Sequence, residues 1–451
     1  LYLRPPMGTA LDFINAVRQD WGSNVTVQGP CAFFDANRDI IDDPVRLKEY
    51  LKRRKLRIAM LSPWLDYDPG SMDRVMSRDE YKAMMLKATR ALRAADPEIR
   101  IIGSIETDWV TIYPDRFADG DRLPVDGKGG HGPTPLSEEL TQVLLNSGLP
   151  WVDSLKTDRE GGATVELYTR AGTPQTALGV YPRAGNHQAK FLLEQAKFLV
   201  EEIGLDGFYI DEFSLWWVDS YDRPDGFTGT IDRETGEVTR QYTSAMIAGI
   251  GPRRDLCEYI IDRGLTMVAN TWATTQRENQ YPVMRFAETW STFDVLSLPM
   301  KAKPPFMPEL ARGQLGTPIG LGINAPSEGI NSAERLMRGI ILYLRHGMVY
   351  YHYFYGDIPS EGEGAGEYGP INHMFPITPV RLFEGGIEGE ERTVTCVSGT
   401  YEWRHDERPT VLAFGPDGRQ IDADADIRKT NDGWQVELGL RDWVEIGVIE
   451  P

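Results

Sequence analysis

The chain has 451 residues, 41% of them hydrophobic, which is enough to bury the core of a complete barrel and of a smaller accessory domain. Its formal net charge of −19 at pH 7 argues against a nucleic-acid partner, because phosphate binding requires a basic surface. No apolar run approaches the ~20 residues that a membrane-spanning helix needs, so we expect no membrane span.

Segments typical of strands and of helices alternate along most of the chain. In chain order we predict a helix over 9–21, a strand over 25–35, a helix over 44–55, a strand over 57–64, a helix over 78–95, a strand over 100–106, a loop-rich region over 107–136, a helix over 137–147, extended segments over 165–168 and 178–181, a helix over 187–203, a strand centred on 208–210, a hairpin over 229–239, a helix over 252–263, strands over 266–270, 284–288 and 317–323, a helix over 332–346 and a strand over 348–355. About eight strands separated mostly by helices predict a (β/α)8 TIM-like barrel, because parallel strands joined by right-handed crossovers close on themselves at that number.

Beyond Pro376 the pattern changes to short segments in which apolar and polar residues alternate. These segments are 392–398, 409–414, 434–438 and 443–449, with turn residues at 415–418 and 431–433. They predict a small antiparallel β-sandwich. We therefore expect two domains, a catalytic barrel over 1–375 and a β-sandwich over 376–451.

The cysteines and histidines give no sign of a cofactor or a metal. Cys31, Cys257 and Cys396 are far apart and form neither a disulfide framework nor a metal-ligand spacing. The six histidines lack the His-x-His pair that a metal-dependent amidohydrolase barrel requires. No Gly-x-Gly-x-x-Gly turn follows a predicted strand, which disfavours a nucleotide-binding open sheet. We expect no cofactor and no metal.

The chain begins at Leu1 rather than at methionine, which is compatible with removal of a signal peptide or an upstream domain. An acidic composition with few cysteines is common among extracellular bacterial hydrolases. We expect a secreted or periplasmic protein. The oligomeric state is left open by the sequence.

The strand centred on 208–210 carries the strongest functional signal in the sequence. The preceding helix stops at Gly204, and the strand ends in the adjacent acids Asp211 and Glu212. Chemistry in a repeated βα unit lies at the carboxyl end of the strand, so two acids there predict a catalytic position. The structural alternative is that they serve as turn or helix-cap residues. Asp211 is in phase with Tyr209 and is expected to face the barrel mouth, whereas Glu212 alternates away.

Acids also end other predicted strands, at Glu106 and at Glu288. Glycoside hydrolysis needs one carboxylate to attack the anomeric carbon or activate water, and another acid to protonate the leaving oxygen. Closure of a barrel brings its strand ends together around one mouth. The candidate catalytic residues are therefore Asp211, Glu288, Glu212 and Glu106. Asn270, which ends its own strand, is a candidate for recognition of sugar hydroxyls, or else a turn residue.

Aromatic residues near the predicted strand ends are candidates for sugar binding, because aromatic faces stack on the C–H surfaces of sugar rings. The alternative for each tryptophan is a place in the core. The candidate substrate-binding residues are Trp64, Trp109, Tyr209, Trp216, Trp217, Asn270, Trp272, Trp290 and His352.

Three motifs in order, Asp-Gly-Phe-Tyr-Ile-Asp at 206–211, Asn-Thr-Trp at 270–272 and Ala-Glu-Thr-Trp at 287–290, followed by a β-sandwich, resemble retaining glycoside hydrolases of the α-galactosidase-like barrels. In that group the nucleophile is an aspartate that closes strand four, and the acid/base is a carboxylate that closes strand six. The resemblance makes Asp211 the nucleophile and Glu288 the acid/base. It implies a carbohydrate substrate, an oligo- or polysaccharide.

Other assignments of the same residues stay open. Two-glutamate β-glycosidases carry Asn-Glu on strand four, where this chain has Asp211-Glu212, and that pattern would make Glu212 the acid/base and Glu288 the nucleophile. An inverting enzyme would use Glu212 or Glu106 together with Glu288. A barrel that only binds glycans would keep the tryptophans without needing the acids, so the retained acids favour an enzyme.

Overall fold

The computed structural model describes residues 8–37, 39–65, 77–112, 134–170, 173–214, 218–273, 275–289, 298–307, 313–323, 333–353 and 369–451. Its helices are α1 (Ala10–Trp21), α2 (Pro44–Arg54), α3 (Arg78–Ala95), α4 (Glu138–Leu145), α5 (His187–Lys197), α6 (Ala245–Ala248), α7 (Ile250–Ile261), α8 (Gln276–Gln280) and α9 (Ala333–Arg345). Its strands are β1 (Cys31–Asp35), β2 (Ile58–Leu65), β3 (Arg100–Glu106), β4 (Trp109–Ile112), β5 (Thr134–Pro135), β6 (Thr164–Arg170), β7 (Thr173–Gly179), β8 (Gly207–Asp211), β9 (Asp219–Ser220), β10 (Thr228–Ile231), β11 (Val238–Ser244), β12 (Thr266–Asn270), β13 (Met284–Thr289), β14 (Ile319–Ile323), β15 (Val349–Tyr353), β16 (Pro379–Phe383), β17 (Gly386–Gly389), β18 (Thr393–Thr395), β19 (Gly399–Trp403), β20 (Thr410–Phe414), β21 (Gln420–Ile421), β22 (Asp424–Thr430), β23 (Gly433–Gly439) and β24 (Ile446–Glu450).

Eight of these strands form one parallel sheet in the order β1, β2, β3, β8, β12, β13, β14 and β15. The order in the sheet is also the order in the chain, and most connections contain a helix, as right-handed crossovers require. The sheet curls until β1 and β15 lie side by side. The predicted TIM-like barrel is confirmed.

Alternate residues of each strand fill the interior of the barrel. This core contains Phe33, Met60, Ile102, Tyr209, Val268 and Phe286. The ring of Tyr209 stacks on that of Phe286 with centroids 5.9 Å apart, and it meets Phe33 edge-on at 5.0 Å. Because side chains alternate along a strand, residues two or four positions further on also face the interior, at the carboxyl end. Those positions are Glu106, Asp211, Asn270 and Glu288.

The connection into β8 depends on glycine. Helix α5 is shorter than the predicted helix and continues as a π-helical turn over Phe198–Glu202, after which Gly204 takes a φ of 79°. Gly207 has a φ of 146°, and a Cβ there would lie 1.7 Å from the carbonyl oxygen of Thr266. Glycine at this position therefore allows β8 to approach β12 closely.

Two insertions lie at the carboxyl end of the barrel. After β3, the strands β4, β7, β6 and β5 form an antiparallel sheet, so part of the predicted loop-rich region is strand, while 113–133 lies outside the described residues. After β8, the strands β10, β11 and β9 form a second antiparallel sheet, which confirms the predicted hairpin over 229–239.

The C-terminal strands form two antiparallel sheets, β16-β17-β18-β24-β20-β21 and β19-β23-β22. Side chains from both sheets, among them Tyr401, Val436 and Ile449, pack into one cluster between them. The predicted β-sandwich is confirmed, and the boundary between 375 and 376 stays a prediction. Cys31, Cys257 and Cys396 are buried, and no disulfide joins them. None of the helices in the described ranges is long and apolar enough to cross a membrane.

Candidate active site

Four polar side chains lie in a row at the carboxyl end of four adjacent barrel strands. Glu106 ends β3 and is opposite Asp211 at the end of β8. Asn270 ends the next strand, β12, and is opposite Phe286, two residues before Glu288 on β13. The sequence-predicted acids Glu106, Asp211 and Glu288 are thus brought to one mouth by the parallel register.

Asp211 is surrounded by hydrogen-bond donors. Its Oδ1 accepts from the Tyr209 hydroxyl at 2.7 Å, from Asn270 Nδ2 at 2.7 Å and from the backbone N–H of Glu212 at 3.1 Å. The other oxygen, Oδ2, is not engaged by these three donors. Burial raises the pKa of Asp211, and the hydrogen bonds act in the opposite direction because they stabilise the ionised form.

Asn270 connects the two proposed catalytic carboxylates. Its Nδ2 donates to Asp211 Oδ1 and to Glu288 Oε2, each at 2.7 Å. These two oxygens therefore lie no further apart than twice that distance. Asn270 is 3% exposed, and its Oδ1 has no hydrogen-bond partner among the residues that the structure describes.

Glu288 titrates in the neutral range. Burial, together with the negative charge of Asp211, raises its pKa from the ordinary value of 4.5 to about 7, while the hydrogen bond from Asn270 opposes the rise. A carboxyl group with this pKa is partly protonated at neutral pH, which is what a general acid requires.

Glu106 is 4% exposed and accepts a hydrogen bond from the backbone N–H of Asp108 at 2.9 Å. Burial and the charge of Asp211 raise its pKa well above the usual range. The charged form of Glu106 is therefore disfavoured where the side chain stands beside Asp211.

Glu212 departs from the alternation expected from the sequence. Its φ is 49°, so the backbone leaves the extended conformation directly after Asp211. Its carboxyl group interacts with Asp108 and Glu106, and burial together with these two neighbouring acids raises its pKa well above the usual range. Its Oε2 has no hydrogen-bond partner in the described part of the chain.

Two residues of the site were not identified from the sequence. Lys156 donates to Asp108 Oδ1 at 2.7 Å, with the two side chains 6% and 2% exposed, and its ammonium lies 4.2 Å from the ring centroid of Trp109. Asp108 follows Glu106 by two residues, and this second acid after a strand end was a signal in the sequence. Lys156 lies in a segment far along the chain, and nothing in its local sequence marks it.

Backbone strain is concentrated at the same strand ends. Thr271, directly after Asn270, has a φ of 86°, which is unusual for a β-branched residue. Its hydroxyl oxygen accepts from the backbone N–H of Ser214 at 2.9 Å and from the Ser214 hydroxyl at 2.7 Å. These bonds fix the turn that follows β12 against the segment that follows β8. Residues in unfavourable backbone conformations are common at functional sites, where the surrounding structure keeps them in place.

The aromatic residues predicted to contact a sugar differ in how deeply they are buried, and some of them lie outside the described residues. Trp64, Trp109 and Tyr209 are 6%, 8% and 1% exposed, and Trp64 stacks on Phe33 with centroids 5.6 Å apart. Trp272 is half-buried. Trp216, Trp217 and Trp290 lie outside the described residues, as does the side chain of His352 on β15. Direct contact of these residues with a sugar stays a prediction.

No group of three or more His, Cys, Asp or Glu side chains in the described ranges is arranged to hold a metal ion.

No protein-family model matches the chain, and no curated protein matches it. Among solved structures, it is similar to a GH31 family sulfoquinovosidase from E. rectale, with a TM-score of 0.47 and 9% identity over 98% of this chain and 65% of that one. It is also similar to a xylosidase from Aspergillus niger, with a TM-score of 0.44 and 11% identity over 97% of this chain and 67% of that one. A pullulanase from Anoxybacillus sp. LM18-11 gives a TM-score of 0.42 and 10% identity over 100% and 72%. At such identities function has to be inferred from the side chains of this chain.

Proposed function

We propose that the protein is a glycoside hydrolase that cleaves glycosidic bonds in an oligo- or polysaccharide. The observation that carries this proposal is the pair Asp211 and Glu288, which accept hydrogen bonds from one nitrogen of Asn270 in the barrel mouth. Two carboxyl groups at this separation, in different protonation states, are the minimum that glycoside hydrolysis requires.

Asp211 is the nucleophile in this proposal. Its Oδ2 attacks the anomeric carbon and forms a covalent bond to the sugar as the glycosidic bond breaks, while Glu288 gives its proton to the leaving oxygen. In the second step Glu288 takes a proton from water, the water oxygen attacks the same carbon, and the bond to Asp211 breaks. Two displacements at one carbon return the original stereochemistry.

The hydrogen bonds support these roles. Three donors stabilise the carboxylate form of Asp211, as a nucleophile requires. Glu288 accepts a hydrogen bond from Asn270 and has a raised pKa of about 7. The bound on the distance between Asp211 Oδ1 and Glu288 Oε2 is compatible with the ~5–5.5 Å between the carboxyl groups of retaining enzymes.

The alternative assignments use Glu212 or Glu106 in place of Asp211. Both residues belong to a buried acidic group that raises their pKa well above the usual range. A nucleophile reacts as the carboxylate, so surroundings that disfavour the charged form disfavour this role. A barrel that only binds glycans has no need for a carboxyl pair in two protonation states.

The proposal is tested by a hydrolysis screen on plant, algal and host polysaccharides, with proton NMR of the first anomer released. We expect hydrolysis with retention by the wild type, loss of activity in Asp211→Asn and Glu288→Gln, and no change in Glu237→Gln, an exposed acid on the hairpin of β10 and β11. An inverted first anomer, or undiminished hydrolysis by Asp211→Asn, would show that Asp211 is not the nucleophile.

A further inference from the structure

The barrel mouth contains more acid than two-carboxylate hydrolysis uses. Beside Asp211 and Glu288 stand Glu106, Asp108 and Glu212, which interact with one another. Lys156 is bound to Asp108 and lies on the ring of Trp109. Among the described residues one lysine pairs with this group of carboxyl groups, and burying carboxylates without enough compensating charge is costly.

Two acceptor atoms in the same mouth have no hydrogen-bond partner among the described residues. Asn270 is 3% exposed and directs its Nδ2 to the two catalytic carboxylates, while its Oδ1 has no hydrogen-bond partner in the described residues. Glu212 Oε2 is also buried without a partner there. A buried polar atom without a partner costs free energy, so the site is complete when a ligand supplies hydrogen-bond donors.

We propose that this site selects a sugar that carries a free, protonated amino group next to the reacting carbon. The inference rests on the proposed function, because it places the anomeric carbon at Asp211. A substituent on the adjacent ring carbon then lies beside Asp211, where Glu106 is opposite in register and Glu212 follows in sequence. An ammonium group brings three donors and a positive charge, whereas a hydroxyl brings one donor and no charge.

The raised pKa values of Glu106 and Glu212 give this inference a distinct signature. Burial and neighbouring acids raise the pKa of both carboxyl groups and disfavour their charged forms. An ammonium ion bound between them favours the charged forms and lowers both pKa values. A neutral sugar leaves their protonation unchanged.

The test is isothermal titration calorimetry at pH 7 in two buffers of different ionisation enthalpy. The probes are D-glucosamine and D-galactosamine, each with its N-acetyl form and its parent hexose as matched neutral controls. We expect at least one amino sugar to bind at least about tenfold more tightly than both of its neutral forms, as charge-assisted hydrogen bonds predict. Equal affinity or no detectable binding would overturn the inference.

Two variants locate the effect. Glu212→Gln keeps the shape of the side chain and removes its charge, so we expect the preference for the amino sugar to fall about tenfold. Glu237→Gln is the matched control on the exposed hairpin, and we expect it to bind as the wild type does. A Glu212→Gln protein that folds and retains the full preference contradicts the placement. Calcium chloride is titrated in parallel, and calcium that binds with proton release and displaces the amino sugar would make this a metal site instead.

Hydrolysis separates this inference from the function on which it rests. The rates to compare are kcat/KM for 4-nitrophenyl 2-amino-2-deoxyglycosides and for their parent glycosides, in both anomers. Asp211-dependent hydrolysis without a preference for the amine would support the proposed glycosidase activity and contradict the amino-sugar specificity. Amino-sugar binding without turnover of any glycoside would contradict the proposed hydrolase activity.

Discussion

The two ends of β8 each have an aspartate, and the two aspartates have opposite environments. At the amino end, Asp206 is paired with Arg93 at 3.0 Å and accepts from the backbone N–H of Ile101 at 2.8 Å. At the carboxyl end, Asp211 stands among Glu106, Glu212 and Glu288, and its burial raises its pKa. Asp206 has a cation and a backbone N–H as partners, whereas burial disfavours the charged form of Asp211.

This difference separates a structural acid from a functional one on the same strand. Asp206 bonds to the neighbouring β3, so its interactions are completed within the protein. Beside Asp211, Asn270 Oδ1 and Glu212 Oε2 have no hydrogen-bond partner in the described ranges, and the neighbouring acids repel one another, as expected where a substrate completes the site. Substitutions at one end of β8 at a time test whether the two aspartates differ in this way.

The largest effect is expected for Asp211→Asn. An amide cannot form the covalent intermediate, so we expect kcat/KM to fall by at least about 10⁴-fold on the best substrate from the screen. A cooperative unfolding transition in urea should show that the Asp211→Asn variant is folded. A fall of less than about tenfold would place the nucleophile elsewhere.

The next effect is expected for Glu288→Gln. Loss of the general acid should lower kcat/KM by about 10²–10⁴-fold. In the wild type, activity should decrease as pH rises through about 7, because Glu288 loses the proton it must donate. The variant should lack this alkaline limb, and a limb that persists unchanged would assign it to another group.

At the amino end, Gly207→Ala should damage stability rather than chemistry. A Cβ at this position would lie 1.7 Å from the Thr266 carbonyl oxygen on a backbone with a φ of 146°. We expect a loss of about 3 kcal/mol or more in the free energy of unfolding, measured in urea. Gly251→Ala is the control, since a Cβ there would meet nothing within 4 Å.

Glu288 should also give the stability a recognisable pH dependence. Its pKa is raised in the folded state, so its contribution is complete below the unfolded value of 4.5 and is lost as pH rises through about 7. Glu288→Gln should therefore gain about 1–3 kcal/mol of stability relative to the wild type between pH 5 and pH 8. The same difference at both pH values would contradict the raised pKa.

The smallest effect is expected for Asp206→Ala. The ion pair with Arg93 is partly exposed and contributes little, so most of the loss comes from the backbone N–H of Ile101. We expect about 1–2 kcal/mol of lost stability with kcat/KM of the folded protein unchanged. A large loss of activity at normal stability would mean that the amino end is not merely structural.

Local sequence predicted the positions of the catalytic candidates well. Strand alternation placed Tyr209 and Asp211 on the same face, and the structure puts both in the barrel. Strand ends were less predictable, since β1 begins at Cys31 rather than at 25, after Pro30, which lacks a backbone N–H.

Contacts between distant segments could not be predicted. Lys156 reaches Asp108 because the insertion that contains β4 to β7 folds back on the barrel, and no periodicity encodes that path. The position of Glu212 depends on one dihedral angle, which turned its side chain towards Asp108 and Glu106. The bridge through Asn270 depends on distances of a few ångströms that three separate strands set together.

The charge of Asp211, which raises the pKa of Glu288, also controls when Glu288 donates and accepts a proton in the proposed reaction. When Asp211 forms its bond to the sugar, its negative charge disappears, and Glu288 becomes a stronger acid at the moment when it has just lost its proton. It then stays ionised and is ready to take a proton from water. When water releases the sugar, Asp211 regains its negative charge, and the protonated form of Glu288 is favoured again. One electrostatic contact across the mouth thus keeps the two half-reactions in order.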